Sequence, residues 1–189
     1  FPNLTVLENV LIGQHARLKT GAVGAVLQSS SGRAEEKHAR QWAVDIIALF
    51  GNRLTPRLGQ TVNGLSYANR RRVEISRALA SRPKILLLDE PTAGMNPNET
   101  LELAEQIKSL HALGLTILLI EHKLDVVTRL AENVIVLDHG EKIAEGPADV
   151  VRQDEEVLRA YLGRAGREHV AAVAAKAAET AAAGGSRDA

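Results

Sequence analysis

Apolar residues recur at helical spacing through the first third of the chain. The segment from Thr5 to Gly13 starts on a threonine, carries apolar residues three and four positions apart, and ends on a glycine, which predicts a short capped helix. Residues 19–33 collect three glycines and three serines, so a loop is expected there, followed by an amphipathic helix that ends at Gly51. A further helix is expected from Ser66 to about Ser81.

The pattern changes after Pro83, where short apolar runs replace helical spacing. Runs of leucine and β-branched residues at 85–88, 116–120 and 134–137 predict three strands. Because these runs are continuous and do not alternate with polar residues, both faces of the sheet are expected to be covered, as in a parallel sheet flanked by helices.

The connections between these runs complete the predicted order of elements. An amphipathic helix that ends at Gly114 is expected between the first two strands. The turn of residues 138–140, Asp-His-Gly, predicts an antiparallel edge hairpin with residues 142–144. One more helix is expected at 154–162. Residues 164–189 are almost all alanine, charged residues and glycine, which predicts a frayed tail.

Composition narrows the classes of function. Lysine plus arginine and aspartate plus glutamate both number 23, so no long-range field favours a nucleic-acid partner. Cysteine is absent, which excludes a disulfide framework and a cysteine nucleophile. The apolar runs are far shorter than the ~20 residues needed to cross a bilayer, so no membrane span is expected. The single methionine is Met95, so residues are expected to be missing upstream of Phe1.

Two adjacent carboxylates, Asp89 and Glu90, directly follow the first predicted strand. In open α/β sheets ligands bind beyond the carboxyl ends of the strands. A nucleoside triphosphatase needs one carboxylate to hold Mg²⁺ and another residue to orient water, so Asp89 suits the metal and Glu90 suits the water. The alternative is a strand that leaves the core and ends in Asp-Glu without a catalytic role.

Two further positions are candidates for contacting phosphate. His122 follows the second strand at the same edge of the sheet, although a histidine there is also an ordinary polar terminus. Ser66 opens a helix whose free N–H groups and dipole favour phosphate, although it is also an ordinary cap. The arginines at 70–72 are interpreted as a solvated helix face and not as a nucleic-acid patch.

Three segments in this order resemble motifs of the nucleotide-binding subunits of ABC transporters. Residues 65–79 resemble the signature loop and its helix, residues 86–97 the Walker B motif with the D-loop, and residues 118–122 the strand that ends in the switch histidine. Residues 1–10, an insertion at 14–31 and the segment 159–163 resemble the ATPases of branched-chain amino acid importers, the LivG type. The resemblance covers residues 1 to about 163.

The resemblance implies an α/β fold of the P-loop NTPase class, with a mainly parallel sheet flanked by helices and a helical subdomain. Residues 1–82 would form the helical subdomain with the signature motif. Residues 83–150 would form the C-terminal part of the catalytic sheet, 151–163 a C-terminal helix, and 164–189 an alanine-rich, poorly ordered tail.

The resemblance also implies roles for individual residues. Glu90 would be the general base, Asp89 would hold Mg²⁺ through water, and His122 would contact the γ-phosphate of ATP. The signature residues, which would meet ATP bound by a partner subunit, are Ser66, Tyr67, Ala68 and Asn69. The D-loop residues are Ala93, Gly94, Met95 and Asn96.

The chain departs from the family pattern in two respects. Ala68 and Asn69 stand where the family usually has glycine and glutamine, and a Cβ at position 68 is expected to obstruct the approach of phosphate. No Gly-Lys pair occurs in the 189 residues, so there is no Walker A loop. The Walker A lysine, the aromatic adenine contact and the Q-loop glutamine are expected upstream, and the chain alone is expected to bind ATP poorly and to be inactive.

The function implied is ATP-driven import of branched-chain, hydrophobic amino acids. The expected partners are a second ATPase subunit, identical or paralogous, and membrane-embedded permease subunits; the expected location is cytoplasmic, on the inner face of the cell membrane. One alternative keeps the ABC ATPase but changes the cargo, for instance to lipopolysaccharide export. A second is a truncated, non-catalytic interaction fragment. A soluble ABC ATPase of DNA repair or translation ranks last, because there is neither a coiled-coil insertion nor a basic face.

Overall fold

The computed structural model describes residues 1–17 and 30–161, with side chains described from residue 32 in the second range. Internal contacts group the chain into two compact units, Phe1–His122 and Lys123–Ala189. Most of the predicted loop at 19–33 and the predicted tail at 164–189 lie outside the described residues. The proposed subdivision at residues 82, 150 and 163 stays a prediction.

The described part of the first unit contains helices and one pair of strands. The helices are α1 (Val6–Ile12), α2 (Ser30–Ala48), α3 (Tyr67–Ala80) and α4 (Pro97–Ala112), and the strands are β1 (Ile85–Asp89) and β2 (Thr116–Ile120). Short 3₁₀ turns lie at His15–Arg17, Gly51–Arg53, Thr55–Arg57 and Val62–Gly64. The predicted order of helices and strands in residues 1–122 is confirmed.

Local capping explains where three of these helices begin. The Thr5 hydroxyl accepts a hydrogen bond from the Glu8 N–H, and the Glu8 carboxylate accepts one from the Thr5 N–H at 2.8 Å, which closes a capping box at α1. Ser66 caps α3 by accepting from the Asn69 N–H at 3.4 Å. Asn96 caps α4 in a second capping box. The predicted starts of α1 and α3 are therefore correct.

Helix α2 begins earlier than expected. The sequence predicts a loop through residue 33, whereas residues 30–33 already belong to the helix. The first turns of α2 carry serine, glycine and charged residues but no apolar stripe, so hydrophobic periodicity could not detect them.

Helices α1, α2 and α3 pack on one another and form a helical layer. The buried apolar residues of this layer include Val6, Val10, Ala43, Ile46, Ile47, Phe50, Val73 and Leu79. The Gln14 side-chain amide donates to the Ala39 carbonyl at 2.8 Å and ties the end of α1 to α2. A Cβ built on Gly13 would lie 2.1 Å from the Arg77 carbonyl oxygen in α3. Glycine is therefore required at position 13 for this close backbone approach.

Strands β1 and β2 pair in parallel, as the sequence predicts, with Ile85 opposite Thr116 and Asp89 opposite Ile120. Their burial differs from the prediction. Along β1 the side chains alternate between exposed and buried, and Leu87 is 69% exposed whereas Leu88 is 8% exposed. The prediction that both faces are covered is wrong for the described residues, because in these residues only one face of the pair has other elements packed against it.

The described part of the second unit consists of a hairpin and short helices. Its elements are α5 (Leu124–Leu130), β3 (Val134–Asp138), β4 (Glu141–Gly146), α6 (Ala148–Val151) and a helix at residues 155–161. The antiparallel pairing of β3 with β4 confirms the predicted hairpin. His139 and Gly140 both have positive φ, 47° and 86°, as a two-residue hairpin turn requires.

The third predicted strand does not extend the parallel sheet. Among the described residues each sheet has two strands, β1 with β2 and β3 with β4. An apolar run shows that a strand is buried on at least one side, but it does not specify which strand it pairs with. Within the same residues, no helix has the length and apolar character needed to cross a membrane.

Candidate functional site

The parallel register of β1 and β2 brings the predicted catalytic residues to one edge of the sheet. Asp89 lies opposite Ile120, and the Glu90 N–H donates to the Ile120 carbonyl at 2.8 Å. Glu90 has a φ of 41°, in the left-handed region, so the chain turns sharply as it leaves β1. His122 leaves β2 at the same edge.

Glu90 and His122 meet at this edge. Nδ1 of His122 lies 3.3 Å from Oε1 of Glu90, and the two side chains are 62% and 50% exposed. Both groups are therefore accessible to a ligand and close enough to contact the same water molecule. The expectation that these side chains lie together is met, while their roles stay predictions.

Asp89 lies on the uncovered face of β1, which it shares with the exposed Ile85 and Leu87. Nowhere in the described ranges do three histidine, cysteine or acidic side chains come together as a metal site. Asp89 itself offers one carboxylate at this edge. This arrangement fits Mg²⁺, which often uses one or two protein carboxylates and takes its other ligands from water and nucleotide phosphates.

The four signature residues divide into two accessible and two buried side chains. Ser66 and Tyr67 are exposed, whereas Ala68 and Asn69 are 3% and 8% exposed. Ala68 is packed in the interior at the first turn of α3, and the expected effect of its Cβ on the approach of phosphate stays a prediction. The side chains of Ala68 and Asn69 are not available to a ligand in this arrangement.

The signature residues and the D-loop are neighbours within the same chain. A Cβ built on Gly94, whose φ is 70°, would lie 3.6 Å from Cε1 of Tyr67. The segment Ala93–Asn96 starts with a turn in which the Ala93 N–H donates to the Glu90 carbonyl at 3.1 Å. It continues through the buried Met95 and ends at Asn96, the cap of α4.

Sequence reasoning missed the role of Arg71. Its Nη2 donates to the carbonyl oxygens of Asp89 at 2.7 Å and Glu90 at 3.0 Å, while Nη1 pairs with Glu74 at 2.9 Å. The helix that begins at the signature loop is therefore hydrogen-bonded to the backbone that carries the two carboxylates. Nothing in the sequence signals this contact, because the partners are main-chain atoms.

Arg72 contradicts the prediction of a solvated arginine face. It is 1% exposed; its Nε donates to the Gln106 side chain at 2.8 Å, and Nη2 lies 3.4 Å from Oε2 of Glu102. Burial lowers the pKa of the Arg72 guanidinium from its ordinary value, and the Glu102 charge opposes this shift. Position 72 shares a helix face with the buried Ser76 and Leu79, and this periodicity was the available signal.

Comparison with protein families gives two matches. A model described as ABC transporter matches residues 1–93, and a second, described as branched-chain amino acid ATP-binding cassette transporter, matches residues 141–167.

The chain belongs to the ABC transporter ATP-binding proteins.

Two relatives from Escherichia coli show the extent of the likeness. The chain is 39% identical over 166 residues to the high-affinity branched-chain amino acid transport ATP-binding protein LivG, covering 87% of this chain and 64% of LivG. It is 40% identical over 106 residues to the lipopolysaccharide export system ATP-binding protein LptB, covering 56% of this chain and 43% of LptB. The chain thus spans less than two thirds of the length of either relative.

A solved structure shares the fold of this chain. It is an ATP-binding cassette of an ABC transporter in its ADP conformation, 30% identical, with a TM-score of 0.69 over 86% of this chain and 64% of that chain. The fold class inferred from the sequence, an ABC-type P-loop NTPase, is thereby confirmed.

Proposed function

We propose that the chain is the signature and Walker B part of an ATP-hydrolysing subunit that drives import of branched-chain amino acids. The observation that carries the proposal is the 3.3 Å approach of His122 to Glu90 at the carboxyl edge of β1 and β2. The likeness to LivG extends over 87% of the chain, against 56% for LptB, and this difference supports amino acid import over lipopolysaccharide export.

In the proposed reaction, Glu90 accepts a proton from the attacking water and His122 contacts the γ-phosphate of the substrate ATP. Asp89 would hold Mg²⁺ through water, and the ion would neutralise charge on the phosphates. The exposed Ser66 at the start of α3 offers N–H groups to ATP held by a partner subunit. These roles require nucleotide binding groups that the 189 residues do not include, because no Gly-Lys pair occurs in them.

The partners proposed are a second ATPase subunit and permease subunits, at the inner face of the cell membrane. Two subunits would enclose ATP between the edge that carries Asp89 and Glu90 in one subunit and the signature loop of the other. The permease would contact the amino acid. The isolated chain is expected to bind Mg-ATP poorly, and tight binding in a nucleotide titration would contradict this expectation.

The test uses the complete subunit encoded by the reading frame around these residues. ATP hydrolysis is measured for the wild type, for Glu90→Gln and for Glu36→Gln, a matched change at an exposed glutamate on α2. Loss of about 1000-fold or more in kcat is expected for Glu90→Gln only, as for removal of a catalytic base. Equal rates in the two variants would refute the role of Glu90.

Cargo is tested by uptake of labelled leucine, isoleucine and valine in Escherichia coli cells that lack LivG, with the complete subunit supplied in its place. Restored uptake is expected for the wild type and not for Glu90→Gln. Active ATPase without restored uptake would separate the enzymatic proposal from the proposed cargo and partners.

A further inference from the structure

Glu121, the residue between β2 and His122, has a side chain that is 0% exposed. Its Oε1 accepts hydrogen bonds from the Thr92 hydroxyl and from the Thr92 N–H at 3.2 Å. Its Oε2 accepts from the His122 N–H at 3.1 Å. One buried carboxylate thus joins the segment after β1 to the segment after β2.

Burial of a carboxylate is unfavourable unless hydrogen bonds compensate for lost water, and hydrogen bonds to a charged acceptor are among the strong ones. Here Thr92, which supplies two of the donors, lies 29 positions from Glu121 in the sequence. Thr92 is 0% exposed as well, so the contact is shielded from water and cannot be exchanged for hydration without local opening. The contact therefore adds a buried side-chain link to the backbone hydrogen bond that already joins Glu90 to Ile120.

The backbone that this contact holds is strained at Glu90. A non-glycine residue at a φ of 41° is strained and persists only where its surroundings hold it. Arg71 binds the carbonyl oxygens of residues 89 and 90 on one side of the turn, and Glu121 holds Thr92 two residues later. Glu90 is thus fixed between two anchored points.

We propose that Glu121 and Thr92 form a positioning pair that sets the separation of Glu90 and His122 without touching nucleotide. The proposal rests on the proposed function, since it assigns the pair to the reaction carried out at Glu90. Because the pair is buried behind the reacting groups, its loss should lower kcat and leave the KM for ATP nearly unchanged.

The experiment compares Thr92→Val with Thr92→Ser in the complete ATPase subunit. Valine has the shape of threonine but removes the hydroxyl donor, whereas serine keeps it. We expect Thr92→Val to lower kcat by about 10- to 100-fold, because small misplacements of reacting groups have effects of this size, and Thr92→Ser to stay within about threefold of the wild type. Thr116→Val, an exposed change on β2, is the matched control and should hydrolyse ATP normally.

Three results would overturn the positioning role: wild-type kcat in Thr92→Val, an equal fall in Thr92→Ser, or a raised KM at unchanged kcat. Glu121→Gln gives a second test if Thr92→Val does not fold. Glutamine has one acceptor oxygen in place of two, so kcat should fall here too, and unchanged kcat would contradict the proposal.

Amide hydrogen exchange in the 189-residue chain separates this proposal from the proposed function. The amides of Thr92 and His122 should exchange slowly in the wild type and at least about tenfold faster in Glu121→Gln, whether or not ATP is hydrolysed. If the complete wild-type subunit lacks ATPase activity, the proposed function fails while the exchange data still test the contact. If exchange is equally fast in both chains, the contact itself is absent.

Discussion

The helical layer of α1, α2 and α3 and the strand pair of β1 and β2 bury their apolar side chains to different extents. In the helical layer, Ile47 and Phe50 are 0% and 1% exposed. In the strand pair, Leu87 and Leu118 are 69% and 58% exposed, although both lie in runs of leucine and isoleucine. An apolar run therefore shows that a surface can be covered, while the packing of neighbouring elements decides whether it is covered.

The proposed metal ligand, Asp89, lies in the less buried of these two regions. Asp89 follows the exposed Ile85 and Leu87 along one face of β1, and exposed apolar surfaces of this kind are typical of sites where another segment or chain binds. The helical layer, in contrast, buries its apolar side chains among its own helices. Mutations in the two regions should therefore lower the free energy of unfolding by different amounts.

The largest effect is expected in the helical layer. Phe50→Ala should lower the free energy of unfolding by about 3–5 kcal/mol, because it leaves a cavity where a fully buried ring was packed. Leu49→Ala, at the neighbouring 45% exposed position, should change it by no more than about 0.5 kcal/mol. Urea unfolding followed by circular dichroism measures both, and similar costs would show that the layer is not closed in solution.

The strand pair offers a matched test on adjacent leucines. Leu88→Ala should lower the free energy of unfolding by about 2–4 kcal/mol, since this side chain is 8% exposed and packs in the core. Leu87→Ala should cost about 0.5 kcal/mol or less. If both variants lose the same free energy of unfolding in urea, the face of β1 that carries Leu87 is covered in solution. If the loss for Leu87→Ala depends on protein concentration, a second copy of the chain covers it.

A smaller effect is expected from pH. Hydrogen bonds from Arg53, at 2.7 and 2.9 Å, hold the pKa of Glu102 below its ordinary value, with further help from the Arg72 charge. This contribution to stability is complete above the unfolded pKa of about 4.3 and is lost as the pH falls through the lower folded pKa. Glu102 and Arg53 are partly exposed, so its size should be about 1 kcal/mol or less.

The measurement for Glu102 is urea unfolding between pH 7 and pH 2.5. The difference between wild type and Glu102→Gln should be largest at pH 7 and should shrink below about pH 4. Glu36→Gln, at an exposed position, should show no such convergence. A difference that does not depend on pH would mean that the loss comes from packing and not from the charge.

Local signals made most of the fold predictable from the sequence. Thr5 and Ser66 cap helices where a hydroxyl preceding an apolar stripe predicts a cap, and the Asp-His-Gly turn forms the expected hairpin. Pairing between distant segments was not predictable in the same way. The early start of α2 leaves no trace in the hydrophobic periodicity, and an apolar run such as that of β3 does not specify its partner strand.

In the candidate site, too, some residues were predictable from local patterns and others were not. Asp89, Glu90 and His122 could be placed together because parallel strands align their carboxyl ends. The contacts of Arg71 with main-chain carbonyls and of Glu121 with Thr92 require the exact strand register and the turn at Glu90. Sequence identifies the groups that face solvent at this edge more readily than the buried groups that hold them.

The close approach at Gly13 has a mechanical consequence. Helix α3 has 14 residues and is a rod of about 20 Å, which carries the Arg77 contact near one end and the Ser66 cap at the other. Because Gly13 has no side chain, α1 ends in direct backbone contact with α3. A single continuous helix thus connects this tight junction to the signature loop at its other end.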